Sequence, residues 1–189
     1  TQRHALNTTT ARAYARTLLS LVALDSLCAD AQHAPRVPRA LADAGAAATA
    51  AVNTLDLLAM GGLHDVPVAV GAMDPLTRAY SGGVPHIHGR NGVGNVELPH
   101  TDTRPVDESA ADMLVRLAHA SARELDVVAI GPLTNLALAL AQDPSIAGKV
   151  HEVIIMGGAA LVPCNLSPVG EANIWNDPEA AQAVVEAPW

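Results

Sequence analysis

The run Asp126-Val-Val-Ala-Ile-Gly-Pro-Leu-Thr-Asn135, continuing through Leu136-Ala-Leu-Ala-Leu-Ala-Gln142, decides the architecture. Asp126 to Ile130 is a short, mostly apolar stretch that reads as a strand. Gly131-Pro132 breaks it, and Leu133 to Gln142 reads as a helix. A second cycle follows at once. Val150 to Met156 is again a strand, stopped by Gly157-Gly158. After a loop over residues 159–176, Asp177-Pro178-Glu179 opens a final helix: Asp caps, Pro suits the first turn, and Glu favours the positive end.

Working outward toward the N-terminus, Glu108 to Glu124 reads as a helix with Met113, Leu114, Leu117 and Ala118 facing inward. Val66-Pro-Val-Ala-Val-Gly71 reads as another buried strand. Residues 79–104, rich in Gly, His and Pro, read as a long loop, a length that in compact domains is functional or mobile. Residues 39–60 form an Ala-rich helix, with Leu55, Leu58 and Ala59 inward and Gly61-Gly62 as its stop. Thr10 to Leu27 reads as a further helix, and Pro35 and Pro38 then break the chain. Strands alternating with helices specify an α/β fold: a mainly parallel open sheet flanked by helices. The expected strands cover 66–70, 126–130 and 150–156, the expected helices 108–123, 133–142 and 178–186. Residues 1–48 form a divergent N-terminal segment and 49–189 a partial α/β domain.

Composition narrows the function. The 189 residues carry a net charge of −8 and no basic run, which argues against nucleic acid as a partner. Only 2% are aromatic and none is Phe, so Ala, Leu, Val and Ile must build the core. No apolar run reaches the 18 or more residues of a membrane-spanning helix. Cys28 and Cys164 show no CxxC or metal spacing, which suits a reduced cytoplasmic setting. Residues 1–24 contain Arg and Thr but no acid, and with Leu18–Leu24 they weakly resemble a signal or transit peptide, interrupted by Asp25. The chain begins with Thr, as a processed or incomplete chain would.

Ligands of open parallel sheets bind beyond the carboxyl ends of the strands. Three segments fall there or beside it. His86-Ile-His-Gly-Arg-Asn-Gly-Val-Gly-Asn95 offers two His at i, i+2 but no nearby third metal ligand, and its glycines are not the dinucleotide pattern. The turn after Ile130 exposes backbone carbonyls that suit a hard cation, although Thr134 and Asn135 could equally serve only the first helical turn. Asn165-Leu-Ser-Pro-Val-Gly-Glu-Ala-Asn173 sets two amides and a carboxylate in one loop, the donor and acceptor set that vicinal hydroxyls require. A polar helix-capping loop is the plainer alternative.

Val128–Asn135, Ile154-Ile-Met-Gly-Gly158, Asn165 with Glu171-Ala-Asn173, and Asp177-Pro-Glu-Ala-Ala181 resemble the inosine/uridine-preferring nucleoside hydrolase family in order and spacing. Asp65-Val-Pro-Val-Ala-Val-Gly71 and His88-Gly-Arg-Asn-Gly-Val-Gly94 extend the match, which covers about residues 49–187. The resemblance implies hydrolysis of the N-glycosidic bond of ribonucleosides to base and ribose. It makes His88, in the HGxxG loop near the bound nucleoside, the candidate catalytic residue. Ile130 corresponds to a residue whose backbone carbonyl binds a catalytic Ca²⁺, Met156 lines the ribose pocket, and Asn165, Glu171 and Asn173 bond the ribose hydroxyls. Ribonucleosides are then the substrates, and homo-oligomers are common in the family. The departures are specific. The family's opening Asp-rich motif has no equivalent before residue 49, where Asp25, Asp30 and Asp43 are isolated. Ala44-Gly45-Ala46 stands where a Gly-Asn step is expected. The late His-Asp pair lies beyond the matched region. The chain alone is therefore expected to be a poor catalyst, with a non-catalytic ribose-binding remnant as the alternative. Base preference is not legible.

Overall fold

The computed structural model describes residues 46–189, so the helix expected over Thr10 to Leu27, Cys28 and the isolated Asp25, Asp30 and Asp43 lie outside the described residues. The elements run α1 (Ala46–Met60), β1 (Ala69–Val70), α2 (Pro85–His88), β2 (Val106–Ser109), α3 (Ala110–Ala120) and β3 (Asp126–Ala129). They continue with α4 (Thr134–Gln142), a 3₁₀ turn (Pro144–Gly148), β4 (Glu152–Ile155), α5 (Ala172–Asn176) and α6 (Pro178–Val185).

Both strand pairings are parallel, β1 with β2 and β3 with β4. The fold is therefore α/β with short parallel sheets flanked by helices. The strands are arranged as two two-stranded sheets. In the second, Asp126 pairs with Glu152 and Ala129 with Ile155. Val127 and Ala129 point into the main core with Leu133, Leu136 and Ile146. Alternation along β3 leaves Asp126 and Val128 on the more open face, beside the exposed Ile154.

Helices α3, α4 and α6 cover the buried face. Ala118, Ala139 and Ala180 are fully buried where they pack, so the Ala-rich composition becomes close helix contact. A smaller core joins Ala51 and Leu55 of α1 to Val68, beside β1.

Four expectations shift. The loop expected over 159–176 ends in the short helix α5, which Glu171 caps. The strand expected over 66–70 is regular only at Ala69–Val70. Pro67 has no N–H for a ladder, although Val106 N still donates to the Val68 carbonyl at 2.8 Å. The helix expected from Glu108 starts at Ala110, because Ser109 caps it by accepting from Asp112 N at 3.1 Å, and Val106–Ser109 is a strand instead. The loop over 79–104 contains the single turn α2.

Candidate functional site

The carboxyl ends of β3 and β4 lie side by side, since Ala129 pairs with Ile155 and Met156 N donates to the Ala129 carbonyl at 2.8 Å. The next carbonyls, of Ile130 and Met156, run past the ladder and need other donors. Asn173 supplies both. Its Nδ2 donates to Ile130 O at 3.0 Å and to Met156 O at 2.8 Å, so one side-chain amide bridges two strand ends. Asn173 is 6% exposed, whereas the side chains of Ile130 and Met156 beside it are open to solvent.

Glu171 holds Asn173 in place. As the N-cap of α5, it accepts from Asn173 N at 3.0 Å through Oε1 and from Ile174 N at 3.1 Å through Oε2. Oε2 also accepts from Gly158 N at 2.9 Å, tying the cap to the turn after β4. Gly157 allows that approach, because a Cβ there would stand 3.2 Å from Ile174 Cδ1 and 3.3 Å from Glu171 Oε2. Burial pushes the Glu171 carboxyl up, but the three backbone N–H groups and the Asn165 side chain outweigh it and hold the acid below its ordinary range. Asn165 Oδ1 in turn accepts from Ala172 N at 2.9 Å. Four donors thus meet a carboxylate with about four acceptor positions. A sugar hydroxyl reaching Glu171 must compete with Asn165 for one of them.

A second group lies behind the first. Asp177 is fully buried, and its Oδ1 caps α6 by accepting from Ala180 N at 3.1 Å. Its Oδ2 accepts from Thr134 Oγ1 at 2.6 Å and from Leu76 N at 3.0 Å. Asn135 Oδ1 accepts from Ala72 N at 2.8 Å, and Arg78 Nη2 donates to the carbonyls of Trp175 at 2.9 Å and Asn176 at 2.7 Å. A small cavity remains between this loop and the turn after Ile130, lined by Ala72, Arg78, Tyr80, Pro132, Asn135 and Asn176 among others.

The structure thus joins Ile130, Met156, Asn165, Glu171 and Asn173 in one hydrogen-bonded group. His88, half-buried at the end of α2, is bonded locally: its N–H donates to Val84 O at 3.1 Å and its carbonyl accepts from Gly94 N at 2.7 Å. Gly89 adopts φ 76°, and a Cβ there would lie 2.6 Å from Asn95 N, so glycine is required for the turn to close. Asn53 Nδ2 of α1 donates to Asn91 O at 2.7 Å and anchors the loop. Among the described residues, no hydrogen bond links His88 to the Ile130 group.

For metal, the described residues near Ile130 offer its carbonyl, which already accepts from Asn173, and a carboxylate engaged by backbone donors. Ca²⁺ requires six to eight oxygens, several from carboxylates, so these residues alone do not fit it. The one His, Cys, Asp and Glu grouping of metal-ligating type among the described residues is Asp126, His151 and Glu152, where His151 Nδ1 lies 2.7 Å from Asp126 Oδ1. It sits at the opposite ends of β3 and β4 from Ile130. Sequence reasoning missed the roles of Arg78, Thr134, Asn135 and Asp177. Asp177 was legible only as a helix cap, because its other partners lie 43 and 101 residues away in sequence.

Residues 41–189 match the family model described as inosine-uridine preferring nucleoside hydrolase. The chain is 43% identical over 136 residues to a probable uridine nucleosidase 1 of Oryza sativa subsp. japonica, covering 70% of this chain and 41% of that protein. It is 37% identical over 135 residues to the pyrimidine-specific ribonucleoside hydrolase RihA of Shewanella woodyi, covering 71% of this chain and 43% of that protein. Among solved structures, the plant nucleoside hydrolase PpNRh1 superposes with a TM-score of 0.70 at 41% identity, covering 73% of this chain and 44% of that one. A purine-preferring ribonucleoside hydrolase of Gardnerella vaginalis gives 0.71 at 32% identity, covering 74% and 45%. The chain therefore spans about two fifths of the length of these relatives.

Proposed function

The chain belongs to the inosine-uridine preferring nucleoside hydrolase family, and from that membership we propose that its strand-end group holds the ribose of a ribonucleoside. The reaction it would serve is hydrolysis of the N-glycosidic bond: water adds at the anomeric carbon, the C–N bond breaks, and the base leaves with a proton. The observation that carries the reading is the Asn173 bridge between the Ile130 and Met156 carbonyls, with Glu171 bonded alongside. It presents carboxylate, amides and carbonyls together at the carboxyl ends of two parallel strands, where ligands of such sheets bind.

In this reading Glu171, ionised at neutral pH, accepts a ribose hydroxyl in exchange for the Asn165 amide, and Asn165 turns to a neighbouring hydroxyl. Holding the sugar in one orientation lowers the entropic part of the barrier. The exposed Met156 side chain packs on the sugar face. His88, in the HGxxG loop, belongs to the leaving-base side. A Ca²⁺, which the family implies, would need several carboxylates besides the Ile130 carbonyl. A ribonucleoside is the partner, in a reduced cytoplasmic setting, with self-association as in the family.

Binding tests this directly. Uridine, inosine, ribose and 2′-deoxyuridine are titrated into isotope-labelled protein. Uridine comes first because relatives at 43% identity are named uridine nucleosidases. The expected result is movement of the amide signals of Gly158, Ala172 and Asn173 with uridine and ribose, and a weaker response to the deoxynucleoside. No response at millimolar ribose and uridine overturns the proposal.

A further inference from the structure

Asp177 does more than a helix cap needs. Capping α6 takes one acceptor, and Oδ1 supplies it to Ala180 N. Oδ2 is free for other donors and takes two from distant segments: Thr134 Oγ1, at the start of the helix that follows Ile130, and Leu76 N, in the loop that leads to α2. A fully buried carboxylate is costly unless such donors surround it. Two residues further along the same loop, Arg78 places its guanidinium on the carbonyls of Trp175 and Asn176, the residues just before Asp177. Asn135 adds a third tie at Ala72. The loop over 72–80 is thus fastened on one side to the segment 175–177 and on the other to the helix start after Ile130.

We propose that Asp177, assisted by Arg78, is a positioning residue that sets the distance between the 72–80 loop and the strand-end group. This rests on the ribose-binding reading above. Asp177 touches no substrate. It acts through the loop that walls the cavity beside Asn135 and Asn176, and through the turn that aims the Ile130 carbonyl. A loop released from it leaves the sugar-holding group formed but loosens the turn after Ile130 and the segment next to Asn173, so affinity falls while the folded core persists.

The test compares Asp177→Ser, Thr134→Val and Arg78→Met with the parent chain. Serine still caps α6 but is too short to keep the two distant donors. Amide exchange is followed in residues 72–80 and in α6, together with uridine affinity by titration of the folded protein. The expected result for Asp177→Ser is unchanged protection in α6, exchange in 72–80 faster by roughly ten-fold or more, and a Kd for uridine raised by a similar factor, the scale of one lost hydrogen bond to a charged group. Arg78→Met and Thr134→Val should move both readouts the same way by less. Folded variants with unchanged exchange in 72–80, or with faster exchange and unchanged affinity, overturn the proposal. If Asp177→Ser does not fold, Arg78→Met, altered at an exposed side chain, decides by the same two readouts. Failure of the parent chain itself to bind uridine is a different result: it defeats the ribose reading and this inference with it.

Discussion

Asn173 donates its side-chain amide to the Ile130 carbonyl at 3.0 Å across 43 residues of sequence, and the same nitrogen serves Met156 O. This ties together two strand-end carbonyls that lie one step past the last ladder bond. Asn173→Asp would set a carboxylate against two carbonyl oxygens and leave both without a donor. The variant should lose about 1–2 kcal/mol, the scale of leaving partly buried acceptors without a donor, read as a lower urea midpoint with unchanged slope. A loss within measurement error would mean the carbonyls are not held by this amide.

Glu171 has its acid held below the ordinary carboxylate range, net of the opposing effect of burial. A depressed folded-state value contributes stability that is complete above the ordinary Glu range. That contribution is lost as pH falls through the lowered value. Glu171→Gln should therefore lower Tm at pH 7 by about 2–4 °C, the scale of a weakened cap, and the gap should close in acid. Thermal melts from pH 7 to pH 2 check this, and a gap that widens in acid contradicts the assignment.

Asp143 is held at about 2, first by its hydrogen bond from His119 and then by the Ser145 hydroxyl and N–H. His119 Nε2 lies 2.6 Å from Asp143 Oδ2, so the pair links the end of α3 to the turn after α4. The contribution is fully present above the ordinary Asp value of 3.8 and is lost as pH falls through about 2. Asp143→Asn should lower Tm slightly at pH 6, because solvent screens the exposed pair, and the difference should be smaller at pH 2. Equal shifts at both pH values would show that the carboxylate charge plays no part.

The strand-end group orients a sugar but, among the described residues, places no uncommitted carboxylate beside the Ile130 carbonyl. The 189-residue chain assayed alone should turn over inosine, uridine and a nitrophenyl riboside more slowly than about 1 s⁻¹, with or without added Ca²⁺. Faster turnover would place the missing carboxylates within this chain, with Asp25, Asp30 and Asp43 the first to replace.

The local signals were strong where one residue type has one backbone use. Asp177-Pro178 announced a capped helix, Gly61-Gly62 a stop, and the apolar runs ending at Ile130 and Met156 two parallel strands; each has its counterpart in the structure, although β4 alternates exposed and half-buried residues. Strand β2 was not legible, because Val-Asp-Glu-Ser carries a polar pattern and becomes a strand only by pairing with β1. The site divides in the same way. Sequence spacing singled out Asn165, Glu171 and Asn173 as a loop rich in donors and acceptors, but the partners of each were beyond it. Which carbonyls Asn173 bridges, that Glu171 spends its oxygens on backbone N–H groups, and that Asp177 ties Leu76 to Thr134 follow from tertiary proximity alone. A hydrogen bond has a reach of about 3 Å, and sequence records only order along the chain, so contacts across 43 or 101 residues exist only once the strands have set the loops side by side.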